Sequence, residues 1–177
     1  MPQHPHPSAA FAELQAQIDA LHERAPAAIR AGHLNIGNAL WLSCDPEGRA
    51  EMSCAPAQRG FRLEWKAADS GGWAALGLGL PPSVLARGRY LGFLIDAVAD
   101  NPVSFTPCLR YHFQEGGMQD VGTPDPVLLP SGPRVHLAHI PIDAALIGGS
   151  RGAEANLFFH SDTARLSINR LELLLMT

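Results

Sequence analysis

Arg110, His112 and Gln114 stand two residues apart in a stretch whose alternate positions are Phe105, Leu109, Tyr111 and Phe113. In an extended chain this spacing puts the polar set, with Thr106 and Cys108, on one face and the apolar set on the other. Asn156 and His160 share parity in a second such stretch, with Phe158 between them, and Trp73 opens a third beside Gly71-Gly72. These residue types suit a hydroxyl-rich ring. An aromatic side chain covers its apolar face, and Arg, Asn, Gln or His groups bond the hydroxyls at its edge. The expected ligand-binding set is therefore Trp73, Arg110, His112, Gln114, Asn156 and His160. The plain alternative is a solvated strand face, with Trp73 and Phe158 in the core.

Other chemistries find less support. There is no Gly-x-Ser-x-Gly elbow, phosphate loop, dinucleotide fingerprint or His-Glu-x-x-His, so no catalytic residue and no enzyme is expected. Gly148-Gly149-Ser150-Arg151-Gly152 is glycine-rich but lies between two expected strands, without a following helix to hold a phosphate, and reads as an ordinary loop. His136 and His139 are three apart on a strand and cannot chelate together. His4 and His6 have chelating spacing but lie in the Pro- and His-rich lead. A metal site built from His112, His160 and a third ligand is the remaining metal alternative, and no metal or other cofactor is expected.

These residues need strands to hold them. After Gly32 the apolar period changes from 3.6 to two. Strands are expected at Leu40–Cys44, Arg49–Cys54, Gly60–Lys66, Trp73–Leu80, Arg89–Val98, Phe105–Gln114, Val127–Leu129, Arg134–Ile140, Ala155–His160 and Ala164–Met176, the last with a bend at Asn169-Arg170. Turn signals such as Ser70-Gly71-Gly72, Pro81-Pro82, Asn101-Pro102 and Gly116-Gly117 separate them. Short strands with Gly/Pro turns and no alternating helices predict a mainly β chain, an antiparallel sandwich over residues 33–177. Residues 1–7 read as a disordered lead. Residues 8–32 read as one amphipathic helix with Ser8 as N-cap and Phe11, Leu14, Ile18 and Leu21 as its apolar stripe, running to about Arg30. That stripe packs on its own domain or on another copy, a homo-oligomer through residues 9–30. Trp41 and Trp65 alternate with apolar neighbours and are expected in the core. Cys44 and Cys54, read as lying on opposite faces of one hairpin, are expected not to be bridged.

The bulk composition narrows the partners. Thirteen Lys and Arg against seventeen Asp and Glu, net −4, give no basic stripe for nucleic acid. No run approaches a membrane span, so no membrane insertion is expected. The start of the chain lacks the charged and apolar regions of a secretory leader. The expected location is cytoplasmic, or extracellular after release by lysis.

Four stretches carry a resemblance to a known family: Gly72 to Leu78, Leu85 to Phe93, Phe105 to Arg110, and Ala164 to Leu173. Over about residues 60–176 the chain resembles the jelly-roll carbohydrate-binding modules and, more widely, the galactose-binding-like domains. Asn169 stands where the family often has aspartate, and the N-terminal helix has no counterpart in the usual module. The resemblance implies a jelly roll, a glycan or polysaccharide partner and a non-catalytic role. It also implies a structural calcium in some members, whose ligands this sequence does not reveal. Two other functions fit the sequence: an attachment or structural protein of a phage-like particle, docking or oligomerising through the helix, and a metal-dependent or glycan-processing enzyme.

Overall fold

The computed structural model describes residues 11–67, 72–160 and 162–177. The lead at 1–7, with His4 and His6, the Ser8 cap and the Ser70-Gly71 turn lie outside them. The chain is an antiparallel β-sandwich, as its period-two pattern demands. The strands are β1 (Ala27–Ile29), β2 (Gly32–Asn35), β3 (Leu40–Cys44), β4 (Ala50–Pro56), β5 (Phe61–Ala67), β6 (Ala74–Leu80), β7 (Tyr90–Ala99), β8 (Val103–Phe113), β9 (Met118–Gly122), β10 (Val127–Leu129), β11 (Gly132–Pro141), β12 (Ser150–Phe159) and β13 (Thr163–Met176). Short helices are α1 (Ala12–Asp19), α2 (Pro82–Leu85) and α3 (Ala144–Gly149). The first sheet runs β1-β4-β5-β13-β7-β11 and the second β10-β8-β12-β6-β3-β2, with β9 also on the outer side of β8.

Alternation fills the space between the sheets. Leu63, Trp65, Phe93, Ile95, Leu166 and Leu173 face inward from the first sheet. Leu42, Leu76, Leu78, Phe105, Leu109, Leu157 and Phe159 face inward from the second, and all are nearly fully buried. Each contributes about 1.5–3 kcal/mol by leaving water. Trp65 stacks on Phe159 across the gap, with ring centroids 4.2 Å apart, so Trp65 is core as its pattern implies.

The helix is shorter than its sequence pattern suggests. α1 tightens into a 3-10 turn at Ala20–Glu23, and Arg24 is already extended. The last stripe residue is Leu21; beyond it His22, Glu23 and Arg24 are exposed and have nothing to bury. Pro26 forces the residue before it toward extended geometry, and Ala27–Ile29 then find a ladder partner in Met52–Cys54 of β4. Residues 24–32 therefore belong to the sandwich and not to the helix.

Phe11, Leu14, Ile18 and Leu21 are 2–5 % exposed and belong to the single core. The stripe is thus used up by its own domain, and a homo-oligomer through residues 9–30 would have to displace it. Polar residues of α1 complete the fit. β5 pairs β13 only as far as Ile168, leaving backbone groups of β13 open beyond it. The Gln15 carboxamide fills that gap as a strand would: Nε2 donates to Leu171 O at 2.8 Å and Oε1 accepts from Leu173 N at 3.3 Å. Gln17 Oε1 accepts from Ala39 N at 3.0 Å, tying the helix to the other sheet. The bend expected at Asn169-Arg170 is a bulge between Ile168 and Arg170. Gly60, at φ +66°, passes so close that a Cβ there would lie 2.0 Å from Ile168 O.

Two local expectations fail. β3 and β4 do not form a hairpin: they lie in different sheets. Cys44 and Cys54 are both buried in the same core from opposite sides, and all three cysteines are free. Burial pushes the Cys44 and Cys54 thiols up to about 11. Gly148-Gly149 is the end of α3, capped by Asp143 through Ala145 and Leu146 N–H, and Gly152 is already in β12.

The β3–β4 connection crosses between sheets on a turn held by Asp45. Its buried carboxylate accepts from Glu47 N and pairs with Arg49, and its own N–H donates to Trp73 O at 3.0 Å. The Arg49 hydrogen bond holds the Asp45 carboxyl below the usual range. A depressed folded-state pKa means stability that is present above the unfolded value and lost as pH falls through the folded one. Asp45→Asn is therefore expected to be less stable than the native chain above about pH 4. The gap should close under more acidic conditions. Urea midpoints measured across that range check this, and a gap independent of pH would refute it.

Candidate functional site

The outer face of the second sheet assembles the candidate residues in three rows across its strands. The ladder pairings align Cys108, Asn156, Gly77, Trp41 and Asn35 in the central row. Thr106, Phe158, Ala75, Ser43 and His33 form a second row. Asp120, Arg110, Glu154 and Gly79 form a third. With strands about 4.8 Å apart, the path from Trp41 on β3 to Arg110 on β8 crosses three spacings, about 14 Å.

Trp41 is half-buried on this face, not in the core. Its indole lies flat because Gly77 and Gly79, the outward positions of β6 beside it, carry no side chains. A Cβ at Gly77 would sit 2.0 Å from Trp41 Nε1, and one at Gly79 would sit 3.6 Å from Cζ3. Glycine inside a strand marks such a close approach. His33 meets the indole at 5.3 Å between ring centroids, tilted by 36°, and its Nε2 bonds Asn35 Oδ1 at 2.8 Å. The result is a flat aromatic surface edged by hydrogen-bonding groups.

The polar end is a connected network. Arg110 grips Asp120 with two hydrogen bonds, Nε to Oδ1 at 2.7 Å and Nη2 to Oδ2 at 2.8 Å, and reaches Glu154 Oε1 at 3.4 Å. Glu154 Oε1 also accepts from Asn156 Nδ2 at 3.1 Å, and its Oε2 lies 3.3 Å from His112 Nε2. The bond to Asp120 strengthens Arg110's hold on its proton. Burial, then Asp120, pushes the Cys108 thiol up to about 11, keeping it protonated and unreactive. Asn156 is only 3 % exposed; Gly77 leaves room for the indole at its side. Among the described residues no three His, Cys, Asp or Glu side chains converge as a metal site would require.

Of the six residues expected to bind, Arg110, His112 and Asn156 share this network. Trp73 and Phe158 are half-buried and meet edge to face at 5.7 Å, forming an apolar ledge at the end of the same face. His160 lies beyond the end of β12, where Nε2 bonds Thr106 Oγ1 at 2.7 Å. Gln114 departs from expectation: β8 ends at Phe113, and Gln114 is exposed in the turn closed by Gly116 N to Phe113 O. It is not on the strand face. Trp41, Asp120, Glu154, His33 and Asn35 were not anticipated. The available signal was the Gly77/Gly79 pair, on the same parity as Ala75, which leaves a groove that some neighbouring side chain must fill.

No family model matches the chain, and no curated protein does. Solved structures share its architecture. One is a family 11 carbohydrate-binding module from Clostridium thermocellum, in complex with a β-1,3-1,4-mixed-linked tetrasaccharide. It matches with TM-score 0.54 at 9 % identity, over 82 % of this chain and 95 % of that one. Another is the CBM22-1 xylan-binding domain from Paenibacillus barcinonensis, with TM-score 0.52 at 9 % identity, over 86 % and 93 %. The enzymatically active domain of bacteriophage CBA120 tailspike protein 4 matches at TM-score 0.44 and 13 % identity, over 92 % of this chain, which spans 20 % of that one. The last is too distant to support any inference. The first two establish the architecture: the fold is the jelly-roll sandwich of the carbohydrate-binding modules.

Proposed function

We propose that the outer face of the second sheet binds an extended, uncharged polysaccharide and leaves it chemically unchanged. The observation that carries this is the Trp41 indole laid flat over Gly77 and Gly79 beside the Asn156–Glu154–Arg110–Asp120 network. The indole offers an apolar plane to one face of a sugar ring, and the network offers donors and acceptors to hydroxyls. Asp120 and Glu154 share one guanidinium, which leaves the cluster with one net negative charge. That disfavours an anionic polysaccharide and leaves a neutral, hydroxyl-bearing one as the ligand the face suits. The two similar modules are named for carbohydrate and xylan binding, which makes mixed-linked β-glucan and xylan the first ligands to try.

Isothermal calorimetry and affinity electrophoresis over a panel of neutral polysaccharides test the proposal. Saturable binding of at least one, with the polymer recovered at its original length, is expected. A panel with no binder, or one shortened by the protein, overturns it.

A further inference from the structure

Sheet edges are where a sandwich is open to other chains, and most edges here are blunted. β1, β2, β9 and β10 are three to five residues long. β11 is the exception: ten residues, paired to β7 along its whole length, with no strand on its other side among the described residues. A long edge with apolar side chains is a template for another strand. Val135 is 68 % and Leu137 45 % exposed, both on the outer face of the first sheet, where Val135 pairs with Asp96 and Leu137 with Leu94.

The hydrogen-bonding parity of this edge is fixed. Asp100 N donates to Arg165 O, so even-numbered residues of β7 turn toward β13 and odd-numbered ones toward β11. Odd residues of β7 oppose even residues of β11. The odd residues of β11 (Pro133, Val135, Leu137, His139 and Pro141) therefore point their backbone groups to the open side. Pro133 and Pro141 fit that side because they have no N–H to offer. The segment reads Pro133-Arg134-Val135-His136-Leu137-Ala138-His139-Ile140-Pro141, with its prolines placed symmetrically about Leu137.

We propose that a second copy of this chain pairs with this edge, β11 against β11 in antiparallel register, about a two-fold axis through Leu137. That register is the one in which each proline meets the partner's proline, so no donor faces a missing one. Leu137 meets its own copy and Val135 meets the copy's His139. Each of these opposed pairs exchanges two backbone hydrogen bonds. No like charges are opposed, since Arg134 falls opposite the copy's Ile140. The two first sheets join into one, and the apolar stripe of Val135 and Leu137 becomes continuous across the joint. A two-fold contact of this kind closes on itself and stops at a dimer.

Light scattering on the eluting full chain, with a dilution series, tests this together with amide hydrogen exchange. The native chain is expected at twice its monomer mass. Leu137→Lys is expected at the monomer mass with an unchanged far-ultraviolet spectrum, because residue 137 is exposed in the monomer and two ammonium groups would meet at the axis. Leu128→Lys, at a still more exposed position on the second sheet, should remain dimeric. The amides of residues 135, 137 and 139 should exchange at least about tenfold faster in Leu137→Lys than in the native chain. Should Leu137→Lys misfold, dilution of the native chain into its monomer must speed those three amides alike. A native chain that is monomeric at every soluble concentration overturns the proposal. So does a dimer in which these amides exchange as fast as in the diluted chain.

Discussion

Trp41→Ala is expected to weaken polysaccharide binding by about 30-fold or more, the loss of about 2 kcal/mol that marks an interface hot spot. It should leave the thermal midpoint nearly unchanged. Trp41 is half-buried on an outer face and contributes little to the space between the sheets, so its removal opens no core cavity. What is lost is the plane on which a sugar ring would lie. Gly77→Val gives an independent route to the same result. Its Cβ would fall 2.0 Å from Trp41 Nε1, so the indole must lift although its own side chain is kept. Calorimetric titration of both variants with the best ligand of the panel measures the effect. Native affinity in both would place the binding surface elsewhere, whereas native affinity in Gly77→Val alone would mean that the indole tolerates tilting.

Ile18→Ala is expected to cost about 2–5 kcal/mol of folding stability, the range for truncating a buried aliphatic side chain. Ile18 is 3 % exposed, on the helix face that closes one end of the sandwich. Gln15 and Gln17 hold that helix to β13 and β3, so the end cannot easily collapse to fill the cavity. Urea unfolding gives the value, and light scattering on the same samples should show an unchanged mass at matched concentration. A loss below about 1 kcal/mol would mean that the stripe is not core. A change of mass would make the helix an association surface after all.

Much of the architecture was legible in the sequence because alternation has one consequence for a half-buried strand. Phe105, Leu109 and Tyr111 had to face inward, and Arg110 and His112 outward. Sheet membership was not legible. Leu40–Cys44 and Ala50–Pro56 look like one hairpin, since a Pro-containing turn separates two alternating runs, and nothing local says that the chain changes sheets at Asp45. That mistake also hid the relation of Cys44 to Cys54. β1 was absorbed into the helix, and β2 was not expected as a strand, because Ala27 to Asn35 are too short and mixed to show a period. Trp41 was misplaced for a different reason. An aromatic among Leu40 and Leu42 looks like core, and its outward direction follows only from strict alternation combined with the glycines of a strand more than thirty residues later. Asp120 and Glu154 could not be linked to Arg110 without knowing that β9 and β12 flank β8.

The position of β11 has a consequence for the kind of target the protein could hold. It edges the first sheet, while the candidate binding face is the outside of the second. Pairing along β11 about an axis normal to the sheet would leave both candidate faces uncovered and turned the same way. A single short oligosaccharide would engage one face and gain nothing from the partner. A long polymer, or a wall densely coated with glycan, would meet both, and the second contact would form at a high effective concentration, raising avidity by about 10²–10⁴ over one face. The edge strand would then decide whether the protein responds to a sugar or to how closely sugars are crowded on a surface.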